Sequence, residues 1–157
     1  MMRLSDAGRA AIVQREGLRL TAYTCPAGKL TIGIGHTGPD VKRGLRITEA
    51  RAYDLLARDI APAENLLNGL GVKFTQGQFD ALLSFILNIG ISSFKKSTML
   101  MHIRAGAPAE RIAGAPAERI AGEFLRWVYI TGPDGRKIQS NGLTARRRAE
   151  RRQFLGA

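Results

Sequence analysis

The chain has 157 residues, enough for one compact domain or two small lobes sharing a helix, and its 45% hydrophobic content suffices for a core. Lys and Arg number 24 against 13 Asp and Glu, a net charge of +11, so the surface favours polyanions such as nucleic acid, anionic lipid or acidic cell-wall polymer. A single cysteine excludes an internal disulfide and a Cys-based zinc site, and no stretch approaches the ~18 apolar residues of a membrane-spanning helix.

The N-terminal MMRLSDAGRAAIVQREG is amphipathic and lacks the apolar segment of a signal peptide. Ser5 is suited to cap a short helix running to about Glu16, and Gly17 to the left-handed position beyond its end. Leu18 to Tyr23 leads into extended chain, Pro26-Ala27-Gly28-Lys29 is a turn, and Leu30–Ile34 alternates as a strand. Gly33 and Gly35 let the backbone bend or approach a neighbour closely. Residues 18–47 therefore read as an antiparallel sheet of two or three strands. From Thr48 the apolar spacing is helical to Leu67, with Pro62 predicting a kink or break near Ala61. Thr75-Gln76-Gly77-Gln78 is a capping box that opens FDALLSFILNIG, a helix apolar nearly all round and so buried. Ser97 starts another helix through about Ala105.

APAERIAG then occurs twice without change, at 107–114 and 115–122. A continuous helix through both would place Pro116 in its interior, where Pro is tolerated only in the first turn. One copy is therefore expected to form a turn or loop, and the other to run into a helix carrying Phe124, Leu125 and Trp127–Val128. Gly132-Pro133-Asp134-Gly135 is a turn, and Leu143–Leu155 forms a last helix, arginine-rich outside a few apolar anchors. The organisation is α+β: a β-lobe of about 17–47, a connecting helix of about 48–69, and a helical lobe of about 70–157 packed with helix 5–16.

The stretch from Glu16 to Thr37 holds most of the candidate chemistry. Glu16 ends its helix, where the dipole disfavours an anion by about 0.3–1 kcal/mol, which suits a group that must deliver a proton. Alone, Glu16 is equally a solvated surface residue, Cys25 a small core residue, Thr31 a strand residue and His36 a hydrogen-bonded structural histidine. With two His and one Cys in the chain, neither a metal site nor a cofactor is expected.

Eight residues separate Glu16 from Cys25, and five separate Cys25 from Thr31. With this spacing, EGLRLTAYTCPAGKLTIGIGHT resembles the catalytic region of phage-type lysozymes, the endolysin muramidases of glycoside hydrolase family 24. Gln78 to Phe85 with Asn88, Gly90, Phe94 and Ser97-Thr98 resembles the family's central-helix motif. Glu123-Phe124-Leu125-Arg126-Trp127, and Gly142-Leu143 with Arg146-Arg147 and Glu150, resemble two later motifs. The resemblance spans essentially the whole chain. It implies a single lysozyme-like domain that cleaves the β-1,4 bond between N-acetylmuramic acid and N-acetylglucosamine in peptidoglycan, causing host cell lysis. It implies Glu16 as general acid, Cys25 at a position that other members fill with Asp, and Thr31 holding the attacking water. It places Thr37, Leu87, Asn88 and Ser97 along the glycan. It gives supporting roles to His36 paired with Asp59, and to Arg146 or Arg147 paired with Glu16. Trp127 reads as core rather than as a sugar platform.

The implied partners are peptidoglycan and anionic envelope polymers or lipid, with no nucleic acid, and the implied state is a monomer. The implied location is the host bacterial cytoplasm until a holin allows release to the wall. Two rivals come from other classes: a wall-binding relative whose catalysis Cys25 and the duplication have impaired, and a basic nucleic-acid-binding module built on RRRAERR. The repeat generates its own prediction. A variant lacking Ala107–Gly114 is expected to keep a cooperative thermal unfolding transition, and loss of that transition would show that the extra eight residues have become structural.

Overall fold

The computed structural model describes residues 1–106, 112 and 114–156. Described elements run α1 (Asp6–Glu16), β1 (Arg19–Thr24), β2 (Leu30–Gly33), β3 (His36–Thr37), α2 (Glu49–Asn68), α3 (Gln76–Ile89), α4 (Ile91–Lys95) and α5 (Thr98–Gly106). They continue with α6 (Gly114–Phe124), β4 (Tyr129–Thr131), β5 (Lys137–Gln139) and α7 (Asn141–Leu155). The chain divides into two units, residues 9–62 and residues 1–8 with 63–157. This is the expected α+β arrangement of a small antiparallel sheet and a set of helices.

In residues 9–62 the sheet order is β1-β2-β3, all antiparallel, with Thr31 paired to both Tyr23 and Thr37. An irregularity in the β1–β2 register lies between Arg19 and Tyr23. Ile32, Val41 and Leu55 are buried together, with Ala22, Leu30, Leu45 and Ile47 packed around them, and Ile12, Ile34, Leu56 and Ile60 are buried as well. Each such aliphatic side chain contributes about 1.5–3 kcal/mol when fully buried. The Thr48 hydroxyl accepts from the Arg51 N–H at 3.1 Å and so caps α2. Of the kink or break expected near Ala61, the break does not occur: α2 runs as one helix through Pro62. Proline's missing N–H and ring clash cost about 3 kcal/mol in a helix interior. Buried Ile60, Ala63 and Leu67 on either side offset that cost.

In the second unit α3 is the central element, and its residues 78–86 are all buried. Thr75 and Gln78 form the reciprocal capping box expected from sequence, with hydrogen bonds of 3.1 and 3.0 Å. At the N-terminus Ser5 accepts from the Gly8 N–H and donates to the buried carboxylate of Asp80, which also accepts from the Ser5 N–H and the Gln76 amide. Phe85 meets Phe124 edge-on at 5.0 Å, Trp127 at 5.9 Å and Phe94 at 6.4 Å, and Phe124 continues to Phe154.

Several elements differ from expectation. The second repeat copy enters α6, whose start at Gly114 puts Pro116 in its first turn. That helix ends at Phe124, and Leu125, Arg126 and Trp127 close onto residues three back, so Trp127 and Val128 lie beyond it. Residues 107–111 and 113 of the first copy lie outside the described residues. The turn at 132–135 joins a two-stranded hairpin, β4–β5, and α4 is an additional short helix. Helix α7 starts two residues earlier than expected, because the Ser140 hydroxyl accepts from the Leu143 N–H. Its arginines do not form one solvated face: Arg147 is wholly buried and Arg146 nearly so.

Candidate active site

Glu16 is the last residue of α1 because Gly17 takes a left-handed conformation at φ +78°, and its N–H donates to the Val13 carbonyl at 2.8 Å. The carboxylate lies against the β2–β3 turn. A β-carbon on Gly35 would stand 2.8 Å from Glu16 Oε2. The next residue in the chain, His36, opens β3, which pairs with the strand that carries Thr31.

Cys25 occupies the loop between β1 and β2. The Gly28 N–H donates to the Cys25 carbonyl at 2.8 Å, and the Cys25 N–H donates to the Lys29 carbonyl at 2.9 Å. The result is a tight loop that carries Cys25 and Thr31 to adjacent positions. The thiol is partly exposed. The Lys29 N–H, donating to the sulfur, lowers its pKa from the ordinary value; desolvation opposes this, and the Thr31 hydroxyl assists it. Thr31 is only 3% exposed, and its hydroxyl also lies 3.1 Å from the Lys29 carbonyl. Its single proton serves one of these acceptors at a time.

His36 sits between two carboxylates. Its Nδ1 is 2.8 Å from Asp59 of α2, and its Nε2 is 2.9 Å from Asp40. Burial works against protonation, but hydrogen bonds and charge from Asp59 and Asp40 outweigh it and raise the histidine's pKa. The same contact with His36 is the main cause that lowers the pKa of Asp40. Thr37 is exposed on the edge strand, opposite Thr31.

Leu87, Asn88, Ser97, Arg146 and Arg147 belong to the helical unit. There an open groove of about 820 Å³ is lined by residues that include Asn88, Ser97, Arg126, Trp127, Tyr129 and Lys137. Half-buried Leu87 is not among its described lining residues. The Asn88 side-chain oxygen accepts from Arg147. Ser97 donates to the Phe94 carbonyl at 2.7 Å and accepts from the Leu100 N–H at 3.1 Å, which makes it the cap of α5. Arg146 and Arg147 both bind Glu150; Arg146 also reaches the Ser84 carbonyl, and Arg147 the Trp127 carbonyl.

The first unit thus holds a thiol with a lowered pKa and a buried hydroxyl at one hairpin of its three-stranded sheet and a carboxyl group, from the end of α1, against that sheet's β2–β3 turn; the second unit holds a groove of mixed aromatic and cationic character. The groups of the first unit can donate a proton and hold or deprotonate water, and the groove of the second, taken by itself, can bind a polar polymer. Sequence reasoning missed the second carboxylate on His36, the Lys29 peptide beneath Cys25, and the groove wall built by Tyr129 and Lys137. Asp40 stood four residues from His36 and was available as a signal. The role of the Lys29 peptide depends on backbone geometry that residue types do not encode. Trp127, read as core, is half-buried against Phe85 and also lines the groove.

Residues 13–150 match the family described as phage lysozyme. Over 157 residues the chain is 38% identical to an endolysin of Acyrthosiphon pisum secondary endosymbiont phage 1, covering 99% of this chain and 100% of the relative. Among solved structures, it is similar to the muramidase domain of SpmX from Asticaccaulis excentricus, with 33% identity and a TM-score of 0.84 over 99% of both chains. It is also similar to the endolysin from Escherichia coli O157:H7 phage FAHEc1, with 36% identity and a TM-score of 0.84 over 98% of this chain and 94% of that one.

The histidine clamp has a definite pH signature. A histidine whose pKa is raised by folding contributes stability in full below its unfolded value of about 6.5, and that contribution is lost as pH rises through the folded value. The lowered pKa of Asp40 adds stability above its unfolded value of about 3.9, lost only as pH falls through the folded value. The clamp is therefore strongest between about pH 4 and 6.5. Asp59→Asn is expected to lower Tm by several degrees near pH 5.5 and by less near pH 9, measured by circular dichroism. An equal loss at both values would show that the histidine's charge is not involved.

Proposed function

The chain belongs to the phage lysozyme family, and from that premise we propose that it hydrolyses the β-1,4 bond between N-acetylmuramic acid and N-acetylglucosamine in bacterial peptidoglycan. The observation that carries this reading is the placement of Glu16 at the end of α1 against the β2–β3 turn, on the same small sheet as the Cys25–Thr31 pair. Glu16 donates its proton to the glycosidic oxygen as the bond to the anomeric carbon breaks. Thr31 and Cys25 hold the water that adds to that carbon, and the thiolate form of Cys25 takes the water's proton. The Lys29 N–H favours that form by stabilising charge on sulfur.

The rest of the reading draws on charge and on the resemblance to phage-type lysozymes. Peptidoglycan stem peptides and neighbouring envelope polymers are anionic, so a net charge of +11 holds the enzyme on an insoluble substrate and does so less at high salt. Thr37, Asn88 and Ser97 contact the glycan, Leu87 supports that contact from beside Asn88, and the His36–Asp59 pair braces the sheet. The enzyme acts as a monomer and lyses the host after leaving the cytoplasm through a holin lesion. Among the described residues, no helix is long and apolar enough to cross a membrane. The rival nucleic-acid reading loses support because the arginine run is partly spent internally, on Glu150, Ser84, Asn88 and the Trp127 carbonyl.

Turbidity clearing and reducing-end release from purified peptidoglycan test the assignment. Glu16→Gln is expected to lower the rate at least 1,000-fold (about 4 kcal/mol or more in the barrier) with Tm nearly unchanged. An active, folded Glu16→Gln variant would remove Glu16 from the role of acid. Wall binding without release of reducing ends by the wild-type chain would favour the impaired relative. A second pair of variants isolates the thiol. Cys25→Ser is expected to fall by about 100-fold, within the 10²–10⁴ range of a lost acid–base group, while Cys25→Asp keeps part of the activity. Full activity in Cys25→Ser would mean that the sulfur has no chemical part.

A further inference from the structure

The glycines around His36 are not explained by the proton transfers above, and one of them bears directly on Glu16. Gly35 has φ +69°, in the left-handed region that an L side chain resists. A β-carbon there would fall 2.8 Å from Glu16 Oε2, 3.2 Å from its carboxyl carbon and 3.5 Å from Cγ. Relaxed carbon–oxygen contacts lie at about 3.3–3.6 Å. The outer half of the glutamate side chain therefore lies across the bare α-carbon of Gly35, in space that any other residue would occupy. Other left-handed glycines of this unit differ. Gly17, Gly28 and Gly44 have nothing within 4 Å of an added β-carbon, and Gly33 would make ordinary contacts with Ala52 and Ile47 from 3.4 Å. Gly38 offers the parallel case, since a β-carbon there would fall 2.7 Å from Oδ1 of Asp40, the carboxylate on His36. Along Gly35-His36-Thr37-Gly38, two missing side chains leave room for two carboxylates.

We infer that Gly35 is a positioning residue for the proton donor: its bare α-carbon forms the seat that fixes the Glu16 carboxyl at the end of α1. This rests on the reading of Glu16 as the general acid. Proton delivery depends on heavy-atom distances within a few tenths of an ångström, and a misplacement of about 1 Å can cost on the order of 100-fold in rate. A methyl group at Gly35 forces the carboxyl back by roughly 0.5 Å to reach a normal contact. The seat leaves glycan contacts elsewhere untouched, so it acts on kcat and spares KM.

The experiment compares Gly35→Ala with Gly44→Ala on soluble peptidoglycan fragments, with Tm measured for both. Both substitutions put a β-carbon on left-handed backbone, at φ +69° and +79°, but only the first crowds Glu16. Both are expected to lose similar Tm. Gly35→Ala is expected to lose about 10- to 100-fold in kcat with KM within about two-fold, and Gly44→Ala to stay within about two-fold in both. Wild-type kcat in Gly35→Ala, or an equal loss in Gly44→Ala, would overturn the inference. If Gly35→Ala does not fold, the double variant Glu16→Asp/Gly35→Ala decides, because the shorter acid withdraws the carboxyl from the added methyl. Recovery of a folded protein supports the seat, and a double variant no more stable than Gly35→Ala overturns it. Glu16→Gln measured in parallel keeps the two readings apart. An inactive Glu16→Gln beside a fully active Gly35→Ala removes the seat alone, whereas an active Glu16→Gln removes the acid itself.

Discussion

A buried carboxylate, Glu150, is the interaction on which the helical unit depends. Removing such an ion from water costs several kcal/mol unless its lone pairs are satisfied. Ser84 donates to it from α3 at 2.8 Å, Arg146 donates from α7 at 3.0 Å, and Arg147 binds the second oxygen. Arg147 is fully buried as well; its Nε donates to the Trp127 carbonyl and its Nη2 to Asn88, and its guanidinium lies 5.0 Å from the Phe85 ring. One network thus fastens the central helix, the last helix and the segment leaving α6. Apolar residues of similar volume would pack as stably. They would not hold the Asn88 amide or the Trp127 peptide in the groove wall, and for that the network needs its directional bonds.

Residues 9–62 are organised differently. Aliphatic side chains form their core, and local geometry places the polar groups: a helix stopped at Gly17, a hairpin closed between Cys25 and Lys29, and a turn pressed onto Glu16. Side chains held by backbone turns are placed accurately without much buried area. Asp59 and Asp40 then fix His36 from two sides, so the short edge strand β3 is tied to α2 by charge where little apolar surface exists to tie it. Each unit therefore solves the problem of holding polar groups in place by its own means, one with a buried ionic network and the other with backbone conformation.

What the sequence revealed follows the same division. The capping box at Thr75, the helix end at Gly17 and the turn at Gly28 were legible because each rests on residue types within four positions of one another. The spacing of Glu16, Cys25 and Thr31 was legible only through the resemblance to phage-type lysozymes, since residue types alone gave each of the three an ordinary structural reading. The hairpin at 129–139 was not, since its strands are three residues each and exposed throughout, so neither length nor alternation marks them. Of the kink or break expected near Ala61, the break does not occur because burial of Ile60, Ala63 and Leu67 overrides a local penalty of a few kcal/mol. Residue types mark Arg147 as one of several arginines on the last helix, and only the resemblance gave it a supporting role, as a possible partner of Glu16. Only its partners Glu150, Asn88 and the Trp127 carbonyl, the last two 59 and 20 residues away, turn it into the most deeply buried cation of the unit's described residues.

The chemistry of Cys25 follows from the loop that holds it. A carboxylate at this position would be ionised at neutral pH without help, but a thiol near its ordinary pKa is mostly neutral there and stabilises positive charge poorly. The Lys29 N–H changes that balance by donating to sulfur, and the Thr31 hydroxyl adds a second donor whenever its proton turns from the Lys29 carbonyl. The two states of that hydroxyl do different things. Turned to the carbonyl, it leaves the Lys29 N–H as the main donor to sulfur. Turned to sulfur, it stabilises the thiolate, the form that the proposed mechanism asks to take a proton from water. One threonine rotor beside a thiol thus tunes the thiol's charge, and the same rotation would do less beside a carboxylate, which needs no donor to remain charged.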